Sequence, residues 1–212
     1  LTNSGTISAG DDFAIRNDLG GTIETITNSG TISANDDNGL WTKGETTTIT
    51  NTASGTISAG DDNAIKVVAG ADVTSIINQG TISAGRNYGI RVDRSNAREA
   101  KITTLTNSGT ISAATDSGIW NDGEIGTITN SGTIKATNQD WGIKNVITGQ
   151  IGLLNNSGTI SVTDNANRPG SALSLQQSSG TVSIVNSGTL ESERADTIKL
   201  HPSFGTVTIN NS

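Results

Sequence analysis

The sequence predicts an all-β fold, a right-handed parallel β-helix (solenoid) of about eight rungs of about 25 residues, with three short strands per rung. Two observations predict it: a refrain that returns along the whole chain, and a two-residue alternation inside that refrain. Asn-Ser-Gly-Thr-Ile stands at 3–7, 28–32, 107–111, 130–134 and 156–160, with looser copies at 78–82 and 186–190. Its glycines, Gly5, Gly30, Gly55, Gly80, Gly109, Gly132, Gly158 and Gly188, lie 25, 25, 25, 29, 23, 26 and 30 residues apart. Such spacing belongs to stacked units that bury a core only by covering one another.

Each strand has its own apolar beat. In the refrain strand, Ile26, Asn28, Gly30, Ile32 and Ala34 share one parity, and Thr25, Thr27, Ser29, Thr31 and Ser33 share the other. Period two marks a strand with its apolar set inward and its hydroxyls in water. A small–aliphatic pair marks a second strand at Ala14-Ile15, Gly39-Leu40, Ala64-Ile65, Gly89-Ile90, Gly118-Ile119, Gly142-Ile143 and Ala172-Leu173. A third beat precedes the Asn, at Ile26, Ile49, Ile76, Leu105, Ile128, Leu154 and Ile184. Strands that pair with their own copies one rung on form parallel sheets, and the handedness of parallel crossovers makes the coil right-handed. At about 4.8 Å per rung the stack is about 40 Å long.

The refrain also supplies a corner. Asn3, Asn28, Asn78, Asn107, Asn130, Asn156, Asn186 and Asn211 are expected to stack as an inward amide ladder, with the adjacent Gly turning the chain through a positive φ. The third rung departs from pattern: Asn51-Thr52-Ala53-Ser54-Gly55 holds two extra residues between Asn and Gly, and a local break is expected there.

Composition agrees with a β stack. Gly (26 residues), Thr, Ser and Asn are abundant and disfavour helix. The chain has no Cys, which excludes disulfides, thiolate metal sites and thiol catalysis. A net charge of −7 opposes contact with nucleic acid, whose affinity rests on Lys and Arg. No apolar run approaches the roughly 18 residues of a membrane span, so no direct membrane insertion of this segment is expected. The self-similarity from end to end makes residues 1–212 a single β-helix repeat domain. The chain opens and closes in mid-repeat without a Met, so it reads as a segment of a larger protein with both ends uncapped.

The residue after the small–aliphatic pair should face outward. Rung by rung it is Arg16, Trp41, Lys66, Arg91, Trp120, Lys144, Ser174 and Lys199, a concentration of cations and Trp in a chain with only 13 Lys and Arg. Phe13, Tyr88 and Trp141 stand just before the same pair, so five of the six aromatic residues flank one strand. Aromatic planes beside charged groups suit glycans, whose apolar faces stack on rings while their hydroxyls hydrogen-bond. Arg16, Trp41, Lys66, Arg91, Trp120 and Lys144 are therefore the candidate ligand-binding residues, against cation–π packing between neighbours as the purely structural reading.

The Asn-Ser-Gly-Thr-Ile-Ser-Ala units followed by Ala-Ile or Gly-Ile resemble the passenger repeats of bacterial autotransporter (type V secreted) proteins. The resemblance covers nearly the whole chain. It implies an extracellular rod on the bacterial cell surface, held at the outer membrane by regions outside this chain. It further implies a non-enzymatic adhesin scaffold whose partner is a glycan, a host-surface ligand or another copy of itself.

Other readings compete. A polysaccharide-acting lyase or glycosidase would use clustered carboxylates with a cation, such as Asp61, Asp62 and Lys66, but these aspartates repeat with the scaffold whereas catalytic sites are singular. The lone His201 lies in an irregular segment, reads as an exposed loop residue and suggests no partner. An ice-binding surface would use the outward hydroxyls Thr6/Ser8, Thr31/Ser33, Thr56/Ser58, Thr81/Ser83 and Thr110/Ser112, a column that Lys135 and Glu191 interrupt. No cofactor or metal is expected. Calcium near Asp11, Asp12, Asp36, Asp37, Asp61 and Asp62 is the alternative to solvated turn caps. Two insertions, 91–101 and 164–170, break the beat where binding specificity often sits, and the first reads as a solvated mix of charges.

Overall fold

Parallel, in-register pairing of each strand with its copy one rung away organises the whole molecule. The structure, a computed structural model, describes residues 1–95, 98–138, 140–163, 169–177, 179–201 and 205–212. Three sheets run its length. A nine-stranded sheet extends from Thr2–Asn3 to Thr206–Asn211, and two eight-stranded sheets extend from Thr6–Ala9 to Thr189–Ser192 and from Ile15–Asn17 to Ile198–Leu200. One rung therefore reads Thr22–Asn28, Thr31–Ala34, Leu40–Thr42. All pairings in these sheets are parallel, and along the core they join like residues, as in Ile32↔Ile57↔Ile82↔Ile111↔Ile134↔Ile160. Among the described residues there is no helix.

The core is a set of aliphatic columns, one per apolar beat. Ile26, Ile49, Ile76, Leu105 and Ile128 fill one, Ile57, Ile82, Ile111 and Ile134 a second, and Leu40, Ile65, Ile90, Ile119 and Ile143 a third, all fully buried. Each such side chain stabilises by about 1.5–3 kcal/mol relative to exposure. A fourth inward column, absent from the sequence reading, runs Ile23, Thr46, Val73, Ile102, Ile125 and Ile151. It breaks the two-residue alternation, because Thr47 and Thr48 both turn away from the core between Thr46 and Ile49. Two outward residues in succession give the strand a further inward position.

At the first corner Asn3, Asn28, Asn51, Asn78, Asn107, Asn130, Asn156, Asn186 and Asn211 form one unbroken ladder. Each Nδ2 donates to the Oδ1 of the next rung over 2.6–2.9 Å. The amide of Asn107 also reaches the carbonyls of Gly109 at 3.2 Å and Thr133 at 3.1 Å. Asn suits this place because its amide has both a donor and an acceptor, so one residue type can continue the chain of bonds indefinitely. The expected break in the third rung does not occur. Asn51 keeps its place in the ladder, and the two extra residues are taken up in an outward turn closed by Gly55 N–H donating to the Thr52 carbonyl.

The role expected of the corner glycines is also corrected. Among the described residues the glycines with positive φ are Gly20, Gly70 and Gly180, none of them in the refrain. What demands Gly at the corner is close approach between rungs: a Cβ on Gly132 would stand 2.1 Å from the carbonyl oxygen of Gly109, and one on Gly109 would stand 2.1 Å from that of Gly80. Gly5, in the first rung, has open space there.

Of the two insertions, the first forms a small antiparallel ribbon, Arg94–Ser95 against Arg98–Glu99, with residues 96–97 outside the described set. Its charges pair with one another and with the rod, Arg94 with Glu99 at 3.8 Å and with the Thr148 carbonyl at 3.1 Å. Residues 164–168 of the second insertion lie outside the described residues.

Two predictions follow from this architecture, both read by urea unfolding. Asn107→Ala leaves buried partners on two rungs unsatisfied and is expected to cost about 3 kcal/mol, whereas Asn211→Ala at the exposed last rung costs less than about 1 kcal/mol. Gly132→Ala forces a backbone collision and is expected to cost about 1–3 kcal/mol or more, with Gly5→Ala within about 0.5 kcal/mol of the parent.

Candidate functional site

The third sheet carries the outward column. Register joins Arg16↔Trp41↔Lys66↔Arg91↔Trp120↔Lys144↔Ser174↔Lys199 as one continuous ladder. The flanking residues, Ile15 and Asn17 on one strand, Leu40 and Thr42 on the next, are buried, so the column lies on the outer face by alternation. Ser174 is the exception. It keeps the column's register but is fully buried, and among the described residues its hydroxyl has no hydrogen-bond partner.

The aromatic rings meet across rungs. Phe13, two residues before Ile15, lies 5.5 Å from Trp41 of the following rung, and Tyr88 lies 5.5 Å from Trp120. In each pair an Arg from the first rung covers both rings. The Arg16 guanidinium is 5.3 Å from the Phe13 centroid and 5.1 Å from Trp41, and that of Arg91 is 5.6 Å from Tyr88 and 4.8 Å from Trp120. Each Arg is held in turn by an aspartate two residues on, Arg16 by Asp18 at 2.9 Å and Arg91 by Asp93 at 2.6 Å. Lys66 also faces Asp93, at 3.9 Å. Lys144 sits over the Trp141 ring at 3.8 Å, and burial there pushes its ammonium below the usual lysine range against the pull of Asp140 and Asp116.

The cation–π packing weighed from sequence is therefore present at Arg16, Arg91 and Lys144, and it holds the rings between neighbours. Their ordering was invisible in the sequence because each contact joins different rungs, Phe13 to a residue 28 positions later and Tyr88 to one 32 later. A signal did exist: aromatic–x–x–Arg–x–Asp occurs at Phe13–Asp18 and again at Tyr88–Asp93.

The turn aspartates engage both backbone and side-chain groups of neighbouring loops. Asp12 accepts the Phe13 N–H at 2.8 Å, and Asp37 accepts the Asn38 N–H at 2.7 Å. Asp62 accepts amide protons from Asn38 at 3.0 Å, from Asn87 at 2.8 Å and from Asn63. Asp61 faces Arg86 at 3.8 Å. Asn38 and Asn63 are buried and bonded to each other at 2.8 Å, forming a second short amide ladder beside these turns. Among the described residues no three His, Asp or Glu side chains are grouped to hold a metal ion. The hydroxyls proposed for ice align in straight columns on the second sheet, Thr6↔Thr31↔Thr56↔Thr81↔Thr110 beside Ser8↔Ser33↔Ser58↔Ser83↔Ser112. His201 is not the unpartnered loop residue expected: it is half-buried and its Nε2 lies 2.9 Å from Gln176 Nε2. Burial, with Lys199 and Lys144 nearby, lowers its pKa.

No protein-family model matches the chain, and neither a curated protein nor a solved structure does.

Tyr88 reports on how closed this surface is. Burial, with the nearby Asp116 carboxylate, pushes its phenol up to about 12 from the usual 10. It is the single tyrosine of the chain, so phenolate absorbance reads it alone. The native chain is expected to titrate near 12 and the urea-unfolded chain near 10. A folded-state pKa raised in this way contributes stability that is complete below pH about 10 and is lost as the pH rises toward 12. Native titration near 10 would show the ring to be open to water.

Proposed function

We propose that this chain is part of a non-enzymatic bacterial surface passenger of the autotransporter type, a rod that binds glycans through the aromatic and basic column of its third sheet. One observation carries the ligand reading: aromatic pairs with equal ring spacing stand on the outer face of a single in-register ladder, each ring locked by an Arg that an Asp holds in place. Locked rings lose little entropy when a sugar face covers them, which favours binding. The surface and secretion assignments rest on the refrain's resemblance to autotransporter passengers. A glycan is preferred to a second copy because rods of net charge −7 repel side by side. Of the catalytic alternative's carboxylates, Asp62 accepts the side-chain amides of Asn38, Asn63 and Asn87 and Asp61 faces Arg86, so that alternative has no observation of its own.

Retention on immobilised neutral and acidic polysaccharides, followed together with chain shortening, tests this. Retention without shortening is expected, and Trp41→Ala combined with Trp120→Ala should weaken it at least about tenfold through loss of two stacking planes. Shortening abolished by Asp62→Ala would establish the enzyme instead, and undiminished retention by the double variant would remove the column from binding.

A further inference from the structure

The column reads Arg-Trp-Lys twice: Arg16, Trp41, Lys66, then Arg91, Trp120, Lys144. The rung lengths of the corner ladder follow the same three-rung period. Three rungs take 75 residues from Asn3 to Asn78 and 78 from Asn78 to Asn156. The middle rung is the short one both times, with 23 residues from Asn28 to Asn51 and 23 from Asn107 to Asn130. Each block carries the same four-residue plate. Phe13, Arg16, Asp18 and Trp41 form the first, and Tyr88, Arg91, Asp93 and Trp120 form the second, with matching ring and guanidinium distances. Three steps of the ladder separate them by about 14 Å along a straight line.

The chemistry around the plates selects the ligand. Their guanidinium groups are already neutralised by Asp18 and Asp93, and Asp116 and Asp140 add negative potential at Tyr88. The adjoining turns contribute Asp11, Asp12, Asp36, Asp37, Asp61 and Asp62, so carboxylates outnumber cations along this edge. A polyanion is repelled there. A neutral, hydroxyl-rich chain is not, since carboxylates accept hydrogen bonds from hydroxyls while the rings take the apolar sugar faces. Two similar plates on one line suit a linear polymer, because a compact ligand would fill one plate and leave the other independent.

We infer that the two plates act as one bivalent site for a neutral linear polysaccharide lying along the rod axis. This rests on the glycan reading above. Binding the second plate is then intramolecular, and the gain depends on the polymer reaching across both.

Size-graded oligosaccharides of β-1,4-glucan, β-1,4-mannan and β-1,4-xylan, with polygalacturonate as the acidic comparison, test it by titration calorimetry. With at least one neutral series, short oligomers are expected to fill two equivalent sites per chain. Oligomers long enough to span both plates should bind one per chain and at least about tenfold tighter. Trp41→Leu or Trp120→Leu, each of which keeps an apolar cover, should leave one site with unchanged affinity for short oligomers and abolish the gain with length. The length series on the unsubstituted chain decides bivalence even if a variant folds poorly. Binding that does not tighten with length, or a preference for polygalacturonate, overturns the inference while the glycan reading stands. No retention of any glycan overturns both. Sedimentation showing self-association that the double Leu variant abolishes would assign the face to a second copy and overturn it as well.

Discussion

In-register parallel pairing between successive rungs is the constraint on which every other feature of this rod depends. It stacks like on like, so an inward Ile becomes a column of aliphatic side chains and an inward Asn becomes a run of head-to-tail amides. The same constraint brings the corner glycine of one rung against the carbonyl of the last, leaving no room for a Cβ. Burial contributes most of the stabilisation, since each rung adds several aliphatic side chains at about 1.5–3 kcal/mol apiece. The amide ladder has a different effect: a net hydrogen bond contributes only about 1 kcal/mol, but a slip in register would leave buried amides unpaired along the whole corner.

Register also governs the outer surface. Because each strand of the third sheet lies directly over its predecessor, residues some 25 apart become neighbours, and an Arg in one rung rests on the Trp of the next. The plates are therefore products of stacking, as the core is. Their rigidity comes from three linked contacts, ring on ring, guanidinium on ring and carboxylate on guanidinium, each modest alone and mutually reinforcing. The half-buried Tyr88 and Lys144 show the result, with a phenol and an ammonium both shifted toward their neutral forms by desolvation.

Much of the scaffold was legible in the chain because it rests on local periodicity: Ile32, Ile57 and Ile82 declare their strand by alternation, and Arg16 to Lys144 declare their column by position relative to the small–aliphatic pair. Three features were not legible. Thr46, Val73 and Ile102 sit inward beyond two successive outward residues that break the alternation, so a search for period two passes over them. Asn51 was taken for a break because the sequence gives spacing along the chain and says nothing of where surplus residues go; an outward turn at Thr52 absorbs them without cost to the ladder. The glycines of the refrain were assigned to backbone freedom when the controlling fact is a carbonyl one rung away.

The sequence by itself determined the all-β stack, its rungs of about 25 residues, its corner amide and its outward cations and Trp, since each depends only on which residues recur and at what parity. Only the tertiary structure decided which recurring residues touch: that Phe13 meets Trp41 and Tyr88 meets Trp120, that Asp18 and Asp93 pin the arginines over them, and that Ser174 is buried within the column. The reason is geometric. Those contacts run along the stacking axis, perpendicular to the chain, and their partners are set by how each loop absorbs its length before the next strand falls into register.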